Sequence, residues 1–400
     1  MPIQYDFDRM IDRRNTASYK WDQLTALFGG EDVLPLWVAD MDFPCAQPIV
    51  DALVRRAQEG VYGYTIRTDD WYDSIRGWFE RRHNWSIPAE SILMSPSVVT
   101  SLSLAVELFT EPGANVIVQP PVYYPFFDVI RMNGRNVARN PLILGEDGRY
   151  RMDLEGMEKL MQDSAKLMLL CNPHNPGGRV WTREELSSLE ELAAKYGVTV
   201  VSDEIHCDLV FQPARHVPYA TVGDYAASHS ITLLAPTKTF NIPGVQSSFI
   251  VAADAKLRTK LANRIKTLSL HMQNFFAHTA TIAAYNEGGD WLDQLLPYLK
   301  ENIDAAIGFF ERRLPVIRPV RAEGTYLLWI DCRGLGMSVA DLKRLMFAEA
   351  KVAFSEGSVF GDEEGSGFLR VNCACPRPLL LEALERFAAA AARAGEVSKS

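Results

Sequence analysis

Short apolar runs alternating with amphipathic helical stretches constrain this chain most. Asn115 to Gln119 (NVIVQ), Leu167 to Leu170 (LMLL), Val198 to Val201 (VTVV) and Ile231 to Leu234 (ITLL) read as buried strands. Between them, Ser101 to Phe109 (SLSLAVELF) and Arg183 to Tyr196 (REELSSLEELAAKY) have helical periodicity. Thr182 is suited to cap the second helix and Gly197 to stop it. Strand-helix-strand alternation of this kind implies an α/β fold, a mostly parallel sheet covered by helices.

The pattern changes towards the end of the chain. Trp291 to Arg313 reads as one long helical stretch with a mild break near Pro297. Thr325 to Ile330 (TYLLWI), a helix around Val339 to Ala350, Phe368 to Val371 (FLRV) and a last helix containing Ala388 to Ala392 complete a smaller α/β unit. A chain of 400 residues is too long for one compact core. We expect a large domain over residues 46–285, and a small one built from residues 1–45 and 286–400. No Gly/Ser linker marks the boundary.

Forty-one basic against fifty acidic residues leave a net charge of −9 and no basic cluster. That argues against nucleic acid or an anionic membrane as the main partner. Six cysteines are scattered rather than framed for disulfides. The opening Met1 to Asp8 lacks a basic stretch followed by an apolar one, so no signal peptide is expected, and no apolar run is long enough to cross a bilayer. The expected location is the cytosol.

Four pieces with chemical potential fall at the ends of predicted strands, where open α/β sheets place ligands. They are Cys171 to Gly178 (CNPHNPGG), Ser202 to His206 (SDEIH), Ala235 to Gly244 (APTKTFNIPG) and Arg370. Taken singly, each has a bland reading: a turn, a cap or surface pair, a solvated lysine. Together they offer an amide, a carboxylate, an amine and a guanidinium. A protected lysine can become a nucleophilic amine, and an arginine fork suits a carboxylate substrate. Cys373-Ala374-Cys375 has short metal-like spacing but no second ligand pair, so buried packing is the better reading and no metal is expected.

In this order the motifs resemble those of the fold-type-I enzymes dependent on pyridoxal 5'-phosphate (PLP), aminotransferase class I/II, over nearly the whole chain. Within that family the chain is most similar to the cystathionine β-lyase (C–S lyase) branch of the MalY and PatB proteins. The branch-level residues are Lys20 to Asp22 (KWD), Leu36 to Phe43 (LWVADMDF), Gly60 to Tyr64 (GVYGY), Lys238 to Pro243 (KTFNIP) and Asn372 to Arg377 (NCACPR).

The resemblance implies a large PLP domain with a smaller α/β domain and a role for each site residue. Lys238 holds the cofactor covalently and acts as catalytic base. Asp203 pairs with the pyridine nitrogen, Asn175 with the ring 3′-oxygen, and Tyr123 stacks on the ring. Amides of Ser97, Val98 and Val99, with the Thr237 hydroxyl, meet the phosphate. His206 lies near the 3′-oxygen. Arg370 clamps the α-carboxylate of an amino-acid substrate, and Trp37 stands at the mouth of the site. Tyr64 reaches the cofactor and substrate of a second subunit, which implies a homodimer with shared sites. Gln246 stands where many class I/II members carry an arginine, and the lyase branch lacks that arginine too.

The implied activity is β-elimination from cystathionine or another L-cysteine S-conjugate, giving a thiol, pyruvate and ammonia. A class I/II aminotransferase shares every residue above except the branch motifs. An additional regulatory protein-binding role has no motif here. A dinucleotide-binding protein would need a Gly-x-Gly-x-x-Gly turn after its first strand, which is missing.

Overall fold

The computed structural model describes residues 3–397; Met1 and Pro2 of the opening segment, and 398–400, lie outside the described residues. The main sheet contains β1 (Ile92–Ser95), β2 (Asn115–Val118), β3 (Asn136–Arg139), β4 (Leu167–Cys171), β5 (Thr199–Asp203), β6 (Ser230–Leu234) and β7 (Ser248–Val251). Their spatial order is β1-β7-β6-β5-β4-β2-β3. From β3 through β6 every pairing is parallel; β7 runs antiparallel to both neighbours. Every residue of β4 and of β6 is buried, as expected of a sheet with helices on both faces.

Register decides where the chemistry goes. Cys171 pairs with Asp203, and Asp203 with Leu233. The segments leaving β4, β5 and β6 therefore start from one row, so the loop after residue 171, Asp203 itself and the turn after residue 234 share one edge of the sheet.

The helix after β1 is α1 (Val98–Phe109), and α2 is Arg183–Tyr196. In α2 the Thr182 hydroxyl accepts from Glu185 N while the Glu185 side chain accepts from Thr182 N, and Gly197 ends it in the left-handed region. The expected start of α1 at Ser101 needs correction. Ser97 caps it, accepting from Thr100 N at 3.1 Å, so Val98 and Val99 form its first turn instead of a connecting loop. The cap overrides the modest helix propensity of valine.

The second sheet is antiparallel, with β8 (Arg318–Pro319), β9 (Leu327–Asp331), β10 (Ser355–Glu356) and β11 (Phe368–Asn372) in the order β8-β9-β11-β10. Helix α3 (Gly289–Arg313) packs on the β8 edge of this sheet, and α4 (Arg377–Val397) packs along α3 and against Val352–Ala353. Pro297 sits inside α3 without ending it. The expected helix over 339–350 is α-helical only for Val339–Arg344 and widens to a π turn over Leu345–Glu349. Leu34–Pro35 pairs in parallel with Val352–Ala353 as a separate two-stranded ladder, and Leu36 O accepts from Asn372 N of β11, which ties the beginning of the chain to this part of the molecule. No helix among the described residues is long and apolar enough to cross a membrane.

Candidate active site

Lys238 does not stand on a strand end, as its position after ITLL suggested. Ala235 is extended, Pro236 opens a single helical turn, Pro236–Thr239, and Lys238 is on that turn. Proline at the first helical position makes so short a turn feasible. The turn is fixed from two sides. Thr239 Oγ1 donates to Asp208 Oδ2 at 2.8 Å, and Asp208 is held in turn by His83 and Trp78. Phe240 is fully buried against Trp78 and Trp291. A Cβ on Gly288 would lie 2.4 Å from the Phe240 ring, so this close approach needs glycine.

The Lys238 amine donates to the Ala39 carbonyl, which also accepts from the Tyr326 hydroxyl at 2.8 Å. Burial lowers the amine's pKa to about 8; Asp40 pulls it back up and Arg370 pushes it down. Asp203, the last residue of β5, accepts from Ile205 N at 3.1 Å and has no ion-pair partner among the described residues. Burial raises its carboxyl to about 7.

Asn175 lies on the loop after β4. That loop is closed by His174 N to Arg179 O at 2.7 Å, and Arg179 is anchored by Glu185 and Glu323. Arg370 is not at a strand end but in the middle of β11, between Trp329 of β9 and Ser355 of β10. Its Nη1 donates to Asn175 Oδ1 at 3.1 Å, and its Nη2 donates to Trp37 O at 2.8 Å and Ser355 Oγ at 3.1 Å. Its Nε has no partner, and no carboxylate pairs with it among the described residues. Burial lowers this guanidinium to about 10. A buried cation without an anion is costly, and its fork suits a ligand carboxylate.

An inner cavity of about 160 Å³ brings Lys238, Asp203, Asn175, Tyr123, His206 and Thr237 together with Ser97, Val98 and Val99 of the α1 start. Gln246 lines it too, in the left-handed region at φ 55°. Burial holds His206 neutral, with its pKa down to about 3, and its Nδ1 has no partner. Burial raises the Tyr123 phenol strongly. An outer cavity of about 460 Å³ opens from Lys238 and Arg370 and is walled by Tyr19, Phe28, Trp37, Tyr124, Phe347 and Phe360. Tyr64 is not brought to either cavity. It is 95% exposed, beside the exposed Val61, Tyr62 and Ile66. Cys373 and Cys375 are buried, and their carbonyls accept from Asn302 Nδ2.

Sequence reasoning placed Trp37 at the mouth of the site but assigned no task to the rest of the strap over residues 36–43. Asn372 Nδ2 donates to Val38 O at 2.6 Å and Asp40 O at 2.7 Å. Asn241 Nδ2 donates to Met41 O and Phe43 O, and its Oδ1 accepts from Met41 N. Under the strap, Lys20 Nζ meets Asp42 Oδ2 at 2.6 Å and Asp40 Oδ1 at 3.5 Å, while Arg13 reaches both carboxylates at 2.7 Å. Three of the other four branch-level motifs thus converge on the fifth, the strap itself. Two aspartates in an otherwise apolar run were the available signal, since buried acids require cations. Arg13 carries no such signal.

The family model for aminotransferase class I and II matches residues 31–387. The chain is 45% identical to Cystathionine beta-lyase PatB of Bacillus subtilis, over 96% of this chain and 99% of that one. It is 34% identical to Protein MalY of Escherichia coli, over 94% and 96%. Among solved structures it is similar to cystalysin from Treponema denticola, which contains pyridoxal 5'-phosphate, with a TM-score of 0.94, 35% identity and coverage of 98% and 100%.

Proposed function

The chain belongs to the aminotransferase class I and II family, and from that premise we propose that it is a PLP-dependent carbon–sulfur β-lyase acting on L-cystathionine or related L-cysteine S-conjugates. The observation that carries the reading is a buried, anion-free Arg370 beside an amine of lowered pKa, at the junction of two cavities. The full-length similarity to a cystathionine β-lyase favours elimination over amino transfer.

The residues present fit PLP. Asp203 is a buried carboxylate in want of a cation, and a pyridinium N–H supplies one. The α1 start, with Thr237 beside it, offers amides and a hydroxyl to a phosphate. Asn175 and His206 border the space left for a ring oxygen, Tyr123 borders a ring face, and Lys238 supplies the amine for the aldehyde. PLP, when bound, supplies an electron sink that stabilises negative charge at the substrate's α-carbon.

The chain's own residues do the rest. Arg370 receives the α-carboxylate, so the substrate enters with a fixed orientation. Asn175 and the Trp37 carbonyl hold the guanidinium in place for it. The Lys238 amine, with its pKa lowered to about 8, is neutral in roughly a tenth of molecules at pH 7, far more than an ordinary lysine, and takes the α-proton. The Cβ–S bond then breaks and the thiol departs through the aromatic-walled outer cavity. Water completes the reaction, leaving pyruvate and ammonia.

We read residues 46–285 as the large domain, and 1–45 with 286–400 as the small one. The pairing of Leu34–Pro35 with Val352–Ala353 supports joining both ends of the chain in one unit. The exposed apolar run around Tyr64 supports a homodimer in which Tyr64 serves the second subunit's site. Six unpaired cysteines suit a reducing, cytosolic setting.

Incubation with L-cystathionine and no keto acid tests the activity. Equal yields of pyruvate and thiol are expected. Turnover that starts only when a keto-acid acceptor is added identifies an aminotransferase instead.

A further inference from the structure

The Lys20, Arg13, Asp40 and Asp42 side chains form a buried or half-buried set with two positive and two negative groups. Trp21 Nε1 adds a hydrogen bond to Asp42 Oδ1 at 2.9 Å. One face of this set is turned to Lys238 through a single peptide, because Ala39, whose carbonyl accepts from the Lys238 amine, directly precedes Asp40. The Asp40 carbonyl is gripped by Lys20 Nζ at 3.2 Å and by Asn372 Nδ2, and its carboxylate by Arg13. Asp40 Oδ1 is buried and has no hydrogen-bond partner; its nearest cation is Lys20 at 3.5 Å. A set this elaborate exceeds what anchoring an N-terminal segment requires. Apolar residues of similar volume would anchor it as well or better.

We propose that Asp40, clamped between Arg13 and Lys20, is a positioning residue for Lys238: it fixes the Ala39 carbonyl as the acceptor that holds the free lysine amine over the cavity, and its charge, balanced by Lys20, sets how readily that amine carries a proton. The inference rests on Lys238 being the cofactor lysine and base. The charged and titratable groups around the amine are Asp40 and Lys20 from the strap side, Asp203 from β5, His206 just beyond it, Arg370 from β11, and the phenols of Tyr123 and Tyr326. Asp40 is the largest charge effect on the amine and raises its proton affinity; Lys20 lowers it.

The two sides of the clamp therefore act with opposite sign. The test is the pH midpoint for acetylation of Lys238 in full-length, cofactor-free protein, read by mass spectrometry of the Lys238 peptide. Asp40→Asn should lower the midpoint by about one pH unit, Lys20→Met should raise it, and Lys20→Arg should restore it. In protein loaded with PLP, the midpoint of the visible absorbance should move in the same two directions. A set that is only structural moves neither midpoint, or moves both variants the same way, and either result overturns the inference. If Lys20→Met does not fold, the near-isosteric Asp40→Asn decides alone, and an unchanged or raised midpoint overturns the proposal. A wild-type protein that binds no PLP defeats the cofactor reading separately, because the acetylation midpoints are still obtained.

Discussion

Charge is buried in two regions of this molecule, and it is arranged in opposite ways. Where the main sheet meets β11, Asp203 and Arg370 are buried without ion-pair partners among the described residues. Beneath the strap, Lys20, Arg13, Asp40 and Asp42 neutralise one another within a few ångströms. Unpaired buried charge is unfavourable until something binds; mutually paired charge is already settled. The first region is therefore built for ligands and the second for the chain itself.

The largest expected effect comes from the ligand side. Lys238→Ala should lower turnover by roughly 10³-fold or more and abolish the visible absorbance of bound cofactor. Retained turnover with an unchanged spectrum would move the chemistry elsewhere. Next comes the strap side. Asn372→Ala leaves the Val38 carbonyl and the Ala374 N–H without their Asn372 partner, and the Asp40 carbonyl with Lys20 Nζ alone. It should cost about 2–4 kcal/mol of stability in denaturant unfolding and also reduce turnover. Full activity in that variant would mean the strap is mere packing.

Asp203→Asn sharpens the contrast through pH. The folded carboxyl titrates near 7, against a reference value of 3.8. Between those values the folded protein keeps a proton that the unfolded chain releases, so this group's contribution to stability is lost as pH rises through about 7. Cofactor-free Asp203→Asn should therefore melt about 2 °C or more above wild type at pH 8, and equally with it at pH 4. With PLP present the order at pH 8 should reverse. A variant that melts lower at pH 8 without PLP would show that Asp203 is not strained. The smallest effect belongs to a site in neither region. Thr182→Ala removes the α2 cap and should cost about 1 kcal/mol with kcat unchanged; a fall in kcat would show that Arg179, anchored through Glu185, transmits strain to Asn175.

The same contrast explains what could be read from the sequence. α2 was legible to the residue, because its cap and its stop are local, Thr182 with Glu185 and Gly197. Four of the five parallel strands were legible because their apolar runs are continuous; β3 (NVAR) was not, being partly exposed and bounded by polar residues. The start of α1 was not, since Val98 and Val99 look like strand and only the Ser97 cap turns them into helix. The orientation of Arg370 depends on its register against Trp329 and Ser355, which no single segment encodes. Arg13 was invisible because its partners lie 27 and 29 residues away. Lys20, Asn241 and Asn372 stood inside recognised motifs, yet their joint task emerged only once the chain had brought them together.

That long reach has a consequence for synthesis. The strap leaves the ribosome early, but the Asn372 side chain that pins Val38 follows 334 residues later. At ordinary elongation rates the interval is roughly 15–65 s. During it the Ala39 carbonyl lacks the Asn372 contacts that fix its neighbours, Val38 and Asp40. A nascent chain thus acquires a competent lysine only as its last strand arrives, and an incomplete one has no finished site in which to handle a reactive aldehyde.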